Sequence, residues 1–345
     1  MQRNRRGRWF AGVAVVSLIV MGCAKSSGAT PSPSAAAPSS GAVASGSTAP
    51  AGSTAPAAAT CKGDGSKGAV KMMINQWVGA AANVAVAQCL LQQMGYKVTT
   101  STLAEEVAWQ GFTTGEVDVI LENWGHPNLE KKYIQTDKLA QDAGPNGVTG
   151  IIGWYVPGWM IDKYPDLTDW HNLNNHVDLF KTSESGDKGQ FLGSDPTFVQ
   201  YDQALITNLH LNFKDIFSGS EAATITAFQQ ADKNKTPLLG YFYDPQWLLS
   251  EIKLVQIKLP PYVAGCDADL KKVACDYPPY ILNKIVRTKF MDTGGAAATF
   301  IKNFKWGNAD QNSVADAITN KNMTPEAAAK QWIDAHAATW QAWMP

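Results

Sequence analysis

Aromatic side chains cluster where several predicted strands end, and this cluster is the first feature of the sequence that points to chemistry. The segment GYFYDPQW places Tyr241 and Tyr243 on one face of an extended segment and Phe242 on the other. Trp77 follows the strand-like segment MMIN, and Trp124 follows DVILEN. A strand buried against helices ordinarily carries Val, Ile or Leu. Electron-rich rings at these positions therefore indicate a binding surface.

The elements that must position these rings alternate between strands and helices. AVKMMINQW is predicted to be a buried strand, followed by a helix that ends at Gly95 and by the strand KVTTST. VAWQGFTTGEVDVILENW adds a short helix, a turn at Gly115 and a strand at 117–121. PTFVQYDQALITNLHL is predicted to form a helix that begins at Pro196. This alternation predicts an α/β fold with mainly parallel sheets, in which ligands bind outside the carboxyl ends of the strands.

Some of the rings are expected in the core and not at a ligand site. We predict that Trp109, Trp332 and Trp340 fill the interior. Trp124 and Tyr243 have Gly, Pro, Asn and Asp as neighbours, which are typical of loops. We therefore predict that these two rings line a cleft.

The N-terminus carries the features of an export signal. It begins with the basic segment MQRNRRGR, and residues 9–22 form an apolar run shorter than the about 20 residues that span a bilayer, so residues 1–22 are predicted to be a signal peptide. The segment VMGC, ending at Cys23, resembles a lipobox, at which bacteria attach diacylglycerol; an ordinary cleaved signal is the alternative. Residues 23–65 are then expected to be the lipidated cysteine and a disordered tether rich in Ala, Ser, Gly and Pro.

Charge and cysteine content narrow the class of protein further. A formal net charge of −1 argues against nucleic acid as a partner. The cysteines other than Cys23 are even in number, which predicts disulfides in an oxidising compartment. Cys266 and Cys275 flank a short loop and are the first expected pair; Cys61 and Cys89 follow by elimination. Because no CxxC or HExxH spacing occurs, we expect no metal and no cofactor.

Four segments, in matching order, resemble the substrate-binding proteins that feed glycine betaine and proline betaine to ABC importers. NQWVGAAANVAVAQCLLQQMGYKV is similar to that family's opening strand–helix unit, and GEVDVILENW to its segment ending in Asn-Trp. LGSDPTFVQYDQALI and PLLGYFYDPQWLLSE are similar to two later cleft segments. The resemblance extends from Ala69 onward.

The resemblance implies a fold and a cellular role. The fold is a two-lobed periplasmic-binding-protein fold, type II-like, with two crossover strands and the ligand in the interlobe cleft. One lobe would contain residues 66–153 and 260–345 and the other residues 154–259, with the crossovers in GWYVPGWMI and IKLPPY. The protein would be a monomer, held by its lipid on the extracytoplasmic face of a bacterial membrane, with a permease as its partner.

The resemblance also implies an aromatic cage for glycine betaine or a related quaternary amine such as proline betaine, choline or carnitine. A quaternary ammonium donates no strong hydrogen bond, whereas the negative faces of aromatic rings attract it. The family's three walls correspond to Trp124, Phe198 and Tyr243; relatives of similar layout have Trp at the last two positions. Trp77 and Trp154 are candidates for a fourth wall.

A ligand carboxylate is expected to contact backbone amides at the start of the predicted helix. Thr197, Val199 and Gln200 would supply these amides, since helix N-termini bind anions. His126, two residues after Trp124, would donate to the same group or is an exposed loop histidine.

Two other classes of protein are considered. An enzyme is not expected, because the chain has no GxSxG, no HExxH and no separable catalytic triad. A carbohydrate- or glycan-binding lipoprotein is the alternative, because rings also stack on pyranoses. Asp195, Asp202 and Asp244 lie close enough to the aromatic segments to bind hydroxyl groups in that case.

Overall fold

Strands and helices alternate through residues 61–345, the part of the chain that the computed structural model describes. The predicted signal peptide, the lipidation site at Cys23 and most of the tether lie outside these residues. The strands are β1 Ala69–Ile74, β2 Lys97–Thr102, β3 Val119–Asn123, β4 Ala140–Pro157, β5 Gly189–Gly193, β6 Phe213–Phe217, β7 Gly240–Asp244, β8 Leu254–Gln256 and β9 Tyr280–Arg287. The α-helices are α1 Val78–Gln93, α2 Glu105–Thr114, α3 Pro127–Glu130, α4 Gly158–Lys163, α5 Asp202–Asn208, α6 Glu221–Asn234, α7 Thr288–Thr293, α8 Gly295–Asn303, α9 Asn308–Thr319, α10 Pro325–Ala335 and α11 Ala337–Gln341. Three 3-10 helices span Pro165–Thr168, Trp170–Phe180 and Trp247–Ser250, and a π-helical turn spans Lys131–Thr136.

Local sequence signals explain where several helices begin and end. The chain leaves α2 through Gly115, which has a positive φ of 75° that glycine adopts without strain. The Ser220 side chain accepts a hydrogen bond from a first-turn amide of α6, and Thr324 does the same for α10, where Pro325 is the first helical residue. These termini are encoded within a few residues of the sequence.

The strands form a mixed sheet in the order β2-β1-β3-β9-β4-β7-β5-β6, and β8 pairs with β4. β1 is parallel to β2 and β3, and β5 is parallel to β6 and β7. β4 and β9 run antiparallel to all their neighbours. The α/β class is confirmed, whereas the prediction of mainly parallel sheets is wrong at the centre, because two antiparallel strands join the two parallel groups.

β4 belongs to both parts of the sheet. Its residues 140–150 pair with β9, and residues 151–157 pair with β7 and β8. The pairing partner therefore changes between Gly150 and Ile151. After β8 the chain returns to the first part of the sheet at β9, through the segment that contains IKLPPY.

The helix predicted from Pro196 begins only at Asp202. The Asp195 side chain accepts a hydrogen bond from the amide of Thr197, 2.8 Å from it, and this bond closes a turn. The amide of Tyr201 donates to a side-chain hydroxyl in the segment between β8 and β9 and not to a helical carbonyl. Contacts with a distant segment therefore override the local helix signal.

Two of the three tryptophans predicted for the interior are fully buried. Trp109 is 1 % exposed and packs edge-on against Phe112, and Trp332 is 3 % exposed. Trp340 is half-buried at the end of the chain. The core prediction is thus confirmed for Trp109 and Trp332.

Both predicted disulfides are present. Cys61 is bonded to Cys89 on α1, and Cys266 is bonded to Cys275 in the segment between β8 and β9. The first bond ties the beginning of the described chain to α1. The second closes a short loop between β8 and β9.

The two disulfides are expected to contribute unequally to stability. Replacing Cys61 and Cys89 by alanine should lower the free energy of unfolding by about 3.6 kcal/mol, because their sequence separation is 28 residues and a longer closed loop restricts the unfolded chain more. The matched Cys266→Ala/Cys275→Ala variant, with a separation of 9, should lose about 2.6 kcal/mol. Urea denaturation of the oxidised proteins measures both values. A larger loss from the shorter loop contradicts the expectation.

Candidate ligand-binding site

Aromatic rings form most of the wall of a cavity of about 250 Å³. The cavity lies where β3 and β7 end and where the chain leaves β5. Its lining residues are Trp77, Glu105, Trp124, Ile152, Phe198, Val199, Tyr241 and Tyr243. The rings therefore come from segments far apart in the sequence, as expected at the carboxyl ends of strands.

Three pairs of neighbouring rings around the cavity stand nearly perpendicular to each other, whereas Tyr241 and Tyr243 are tilted by 53°. Trp77 contacts Trp124 at a centroid distance of 6.5 Å and an interplanar angle of 87°. Trp77 also contacts Phe198 at 5.4 Å and 85°, and Trp124 contacts Tyr243 at 5.5 Å and 83°. Edge-to-face contacts of this kind are favourable. Rings in this arrangement form the adjoining walls of a box.

The strand alternation in β7 explains two of the rings. Tyr241 and Tyr243 both line the cavity. Phe242 points to the other face of the sheet, where it packs against Phe228 at 5.1 Å and Tyr155 at 6.1 Å. The alternation predicted for GYFYDPQW is confirmed, since side chains on a strand alternate between its two faces.

Trp124 rests directly on the backbone of β4. A Cβ atom added at Gly150 would overlap the six-membered ring of Trp124, so this close approach requires glycine. Tyr280, at a centroid distance of 5.6 Å, packs against the same indole. The ring is 5 % exposed.

A buried carboxyl group binds the polar edges of two rings. Glu122, on β3, accepts hydrogen bonds at Oε1 from the indole nitrogens of Trp77 (2.7 Å) and Trp124 (2.9 Å). Its Oε2 accepts a hydrogen bond of 2.6 Å from Asn83 Nδ2. Burial raises the pKa of Glu122 to about 7, although the two indole donors oppose the shift. One carboxyl therefore fixes the orientation of two cavity walls.

A second buried carboxyl group binds Tyr243. Glu221, the first residue of α6, accepts hydrogen bonds from the Tyr243 hydroxyl and from Gln246 Nε2, the latter at 2.9 Å. It also accepts one of 2.8 Å from the amide of Val78, which opens α1. Burial raises the pKa of Glu221, and burial likewise raises that of Tyr243, which keeps the hydroxyl neutral.

Glu105 is the charged residue in the lining, and His126 contacts it. Glu105 begins α2, and its Oε2 lies 2.9 Å from His126 Nε2. Burial lowers the pKa of His126, but the contact with Glu105 and its charge outweigh burial, so the pKa of the imidazole is raised. His126 is not among the lining residues and acts on the cavity through Glu105.

The three residues predicted to contact a ligand carboxylate lie in the loop before α5. Thr197 is exposed, and its amide already donates to Asp195. Gln200 is half-buried, and its Nε2 donates to the Asp195 carbonyl at 2.8 Å. Val199 lines the cavity, and its carbonyl accepts from the Tyr241 hydroxyl at 3.3 Å. Because α5 begins after all three, they do not form a helix N-terminus.

Trp154, a candidate fourth wall, lies away from the cavity. It is on the same face of β4 as Ile152, but two residues, or about 7 Å, further along the strand. There its ring packs against Phe191 at 4.4 Å and its indole nitrogen donates to Asp202 at 2.6 Å. Trp77, the other candidate, is in the lining.

The predicted site residues did not include five residues at or behind the cavity, namely Glu105, Glu122, Ile152, Glu221 and Tyr241, although Tyr241 was placed on the same strand face as Tyr243. Glu105 and Ile152 carry no local signal of their own. Glu122 does have a local signal in the sequence. It is an acidic residue inside an apolar strand, and a buried charge needs partners. Tyr241 had one as well, since it shares a strand face with Tyr243.

Within residues 61–345 no group of three or more His, Cys, Asp or Glu side chains could hold a metal ion. No helix in this part of the chain is long and apolar enough to cross a bilayer.

Comparison with known proteins adds relatives in sequence and in structure. A curated relative, the trimethylamine N-oxide-binding protein of Pelagibacter ubique (strain HTCC1062), is 25 % identical over 296 residues, which cover 80 % of this chain and 90 % of the relative. The crystal structure of lactococcal OpuAC, closed and complexed with glycine betaine, matches with a TM-score of 0.63 and 23 % identity over 80 % of this chain and 99 % of that one. A choline-binding protein of an ABC transporter, in complex with choline, matches with a TM-score of 0.65 and 17 % identity over 80 % and 91 %.

The structural likeness confirms the two-lobed periplasmic-binding-protein fold. The family model described as the substrate binding domain of ABC-type glycine betaine transport systems matches residues 68–335, most of the described chain. Members of this family are solute-binding domains of transport systems and not enzymes. With its fold, its ring-lined cavity and this match, the chain belongs to the family of substrate-binding domains of ABC-type glycine betaine transport systems.

Proposed function

We propose that this protein captures a small methylated amine in the ring-lined cavity and presents it to the permease of an ABC importer. The observation that carries the proposal is the wall of five aromatic residues around a cavity of about 250 Å³.

The rings can supply much of the binding free energy. A ring that faces a cation contributes roughly 0.5–1 kcal/mol when exposed and about 2 kcal/mol when desolvated. Trp124 and Tyr243 are 5 % and 4 % exposed, which places them at the desolvated end of this range. Three such rings give on the order of 6 kcal/mol, and micromolar affinity requires about 8. Exclusion of water and contacts to the rest of the ligand supply the remainder.

The carboxyl groups behind the rings strengthen this attraction. Glu122 accepts hydrogen bonds from two indole nitrogens and Glu221 from the Tyr243 hydroxyl. A hydrogen-bond acceptor at the polar edge of a ring polarises it and leaves its face more electron-rich. A methylated cation inside the box therefore experiences both the rings and the acceptors behind them.

The ligands of the relatives have one group in common. Trimethylamine N-oxide, glycine betaine and choline each carry a nitrogen with three methyl groups. A box of perpendicular rings is suited to such a compact, apolar cation. We infer that the trimethylated nitrogen is the part of the ligand that the rings bind. Carnitine shares this group, and proline betaine, whose quaternary ring nitrogen carries two methyl groups, remains a candidate as a quaternary amine.

A glycan ligand has less support from the described residues. A sugar site needs carboxylates or amides that bind hydroxyl groups, and the three candidate aspartates do not line the cavity. Asp195 binds the amide of Thr197, and Asp202 binds the indole of Trp154. Asp244 lies beside an asparagine of α9.

We also propose that the protein works outside the cytoplasmic membrane as a monomer, anchored by a lipid on Cys23. The basis is the sequence of residues 1–22 and the lipobox-like VMGC segment. The two disulfides support an oxidising compartment, where such bonds persist. In this proposal the tether separates the binding domain from the membrane.

A ligand panel tests the proposal. We expect at least one of choline, glycine betaine, proline betaine, carnitine and trimethylamine N-oxide to bind with a dissociation constant of about 1 μM in calorimetry. The same ligand at a thousandfold excess over that constant should add about 4 kcal/mol to the free energy of unfolding and raise the melting temperature. Glucose and N-acetylglucosamine are the controls. Stabilisation by the sugars, with none by the amines, overturns the proposal.

A further inference from the structure

Glu105 gives the cavity a charge that the rings alone do not have. Of the described lining residues it is the charged one, and its side chain is 6 % exposed. Its carboxyl group lies at the start of α2, with one oxygen 2.9 Å from His126 Nε2. A ligand held by the rings therefore places the substituent on its nitrogen within reach of a buried carboxylate.

The surroundings of the cavity add further carboxyl groups, whose pKa values burial raises toward the neutral form. Glu122 and Glu221 are buried directly behind Trp77, Trp124 and Tyr243. No lysine or arginine is among the described residues of the lining. The imidazole of His126 contacts Glu105 from outside the cavity. Glu105 is therefore the acidic side chain of the described lining, and none of the described lining residues is a Lys, Arg or His that could pair with a ligand carboxylate.

This distribution of charge is unfavourable for a ligand that carries its own carboxylate. In a site that excludes water, like charges repel strongly and each loses hydration. The loop before α5 is not a helix N-terminus, because α5 starts at Asp202, and its Thr197 amide is already bonded to Asp195. A hydroxyl substituent meets no such penalty and can donate to Glu105.

We infer that the ligand is a methylated amine without a carboxylate, and that Glu105 is the residue that excludes betaines. This inference rests on the proposed function, because it concerns the second end of a ligand whose methylated end is bound by the rings. It also assigns a role to His126, which holds the Glu105 side chain in place.

The test compares three probes by calorimetry: tetramethylammonium, choline and glycine betaine. The wild-type protein should bind choline at least about tenfold more tightly than glycine betaine, with tetramethylammonium also ahead of the betaine. In Glu105→Gln, which keeps the shape and removes the charge, this ratio should fall by about tenfold, through gain of betaine affinity. Glu106→Gln, at the exposed neighbouring position, is the matched control and should retain the wild-type ratio.

The possible results distinguish a failure of this inference from a failure of the proposed function. If none of the three probes binds the wild-type protein, the proposed function fails. If they bind but glycine betaine is preferred, the ligand class is wrong while the proposed function stands. An unchanged ratio in folded Glu105→Gln overturns the role of Glu105. The order of affinities in the wild-type protein tests the inference without any variant. The inference can therefore be overturned even if Glu105→Gln does not fold.

Discussion

Replacing Trp124 by alanine is expected to weaken ligand binding by about thirtyfold, which corresponds to about 2 kcal/mol for one desolvated ring. Trp124 contacts Trp77 and Tyr243 edge to face, so its loss opens two corners of the box. Calorimetry with the tightest ligand of the panel measures the change. The fold should persist, because the rest of the core is unaffected.

Two further variants make this expectation specific. Trp124→Phe keeps an aromatic face but removes the hydrogen bond to Glu122, so it should retain more affinity than Trp124→Ala. Trp170→Ala, a half-buried tryptophan of the 3-10 helix that is not in the lining, should bind as the wild type does. If Trp124→Ala binds the ligand as tightly as the wild type does, the rings do not form a cage around it.

The free energy of unfolding is expected to fall as the pH rises from about 5 to about 7.5. Burial raises the pKa of Glu122 from its ordinary 4.5, and that of Asp202 from 3.8, to about 7 in each case. Between the unfolded and folded values the folded state holds more protons than the unfolded state, so stability is lost as the pH rises through this window. For Glu122 the shift corresponds to on the order of 3 kcal/mol.

Urea denaturation at pH 5, 6, 7 and 7.5 measures this slope. Glu122→Gln should reduce it, because the amide does not titrate, while Asp202 keeps its contribution. Asn83 can turn its Oδ1, which has no hydrogen-bond partner among the described residues, toward the new NH₂ group. The exposed Glu116→Gln is the matched control and should leave the slope unchanged. The series stops below pH 8 because burial lowers the pKa of Lys284 to about 8, which adds an opposite slope above that pH. Stability that rises across the series contradicts the expectation.

The ring positions could be predicted because the fold class determines where strand ends meet. Trp77, Trp124 and Tyr243 each stand at the end of a recognisable strand, and they lie together in the structure. The alternation of β7 was also readable, since it depends only on the geometry of an extended chain. Phe198 came from the resemblance and not from local pattern, because it lies in a loop of irregular backbone.

Features that depend on distant contacts could not be predicted. The Asp-Pro sequence before Thr197 has the composition of a helix start, but Tyr201 stacks on Tyr277 at 4.0 Å and donates its amide to that hydroxyl. The contacts with Tyr277, 76 positions away, therefore prevent a helix from beginning before Asp202. The antiparallel centre of the sheet has the same origin, because β9 pairs with strands far earlier in the chain.

The sequence did not predict that an acidic side chain, Glu105, lines the cavity. Glu105 is one of two adjacent glutamates, and nothing in the sequence distinguishes the buried one from the exposed one. The distinction arises only when α2 packs so that its first residue faces the rings. The place of Trp154 also depends on packing. Its side chain is on the face of β4 that lines the cavity, but its position along the strand places it away from the cavity.

The contact between Gly150 and the indole of Trp124 lies where β4 exchanges β9 for β7 as its partner. With no side chain between them, ring and backbone must shift together whenever the twist of this strand changes. A change in the geometry of this strand would therefore displace a wall of the box. Steric bulk at position 150 would tilt a wall of the box from behind, and affinity would be altered by a residue that never touches the ligand.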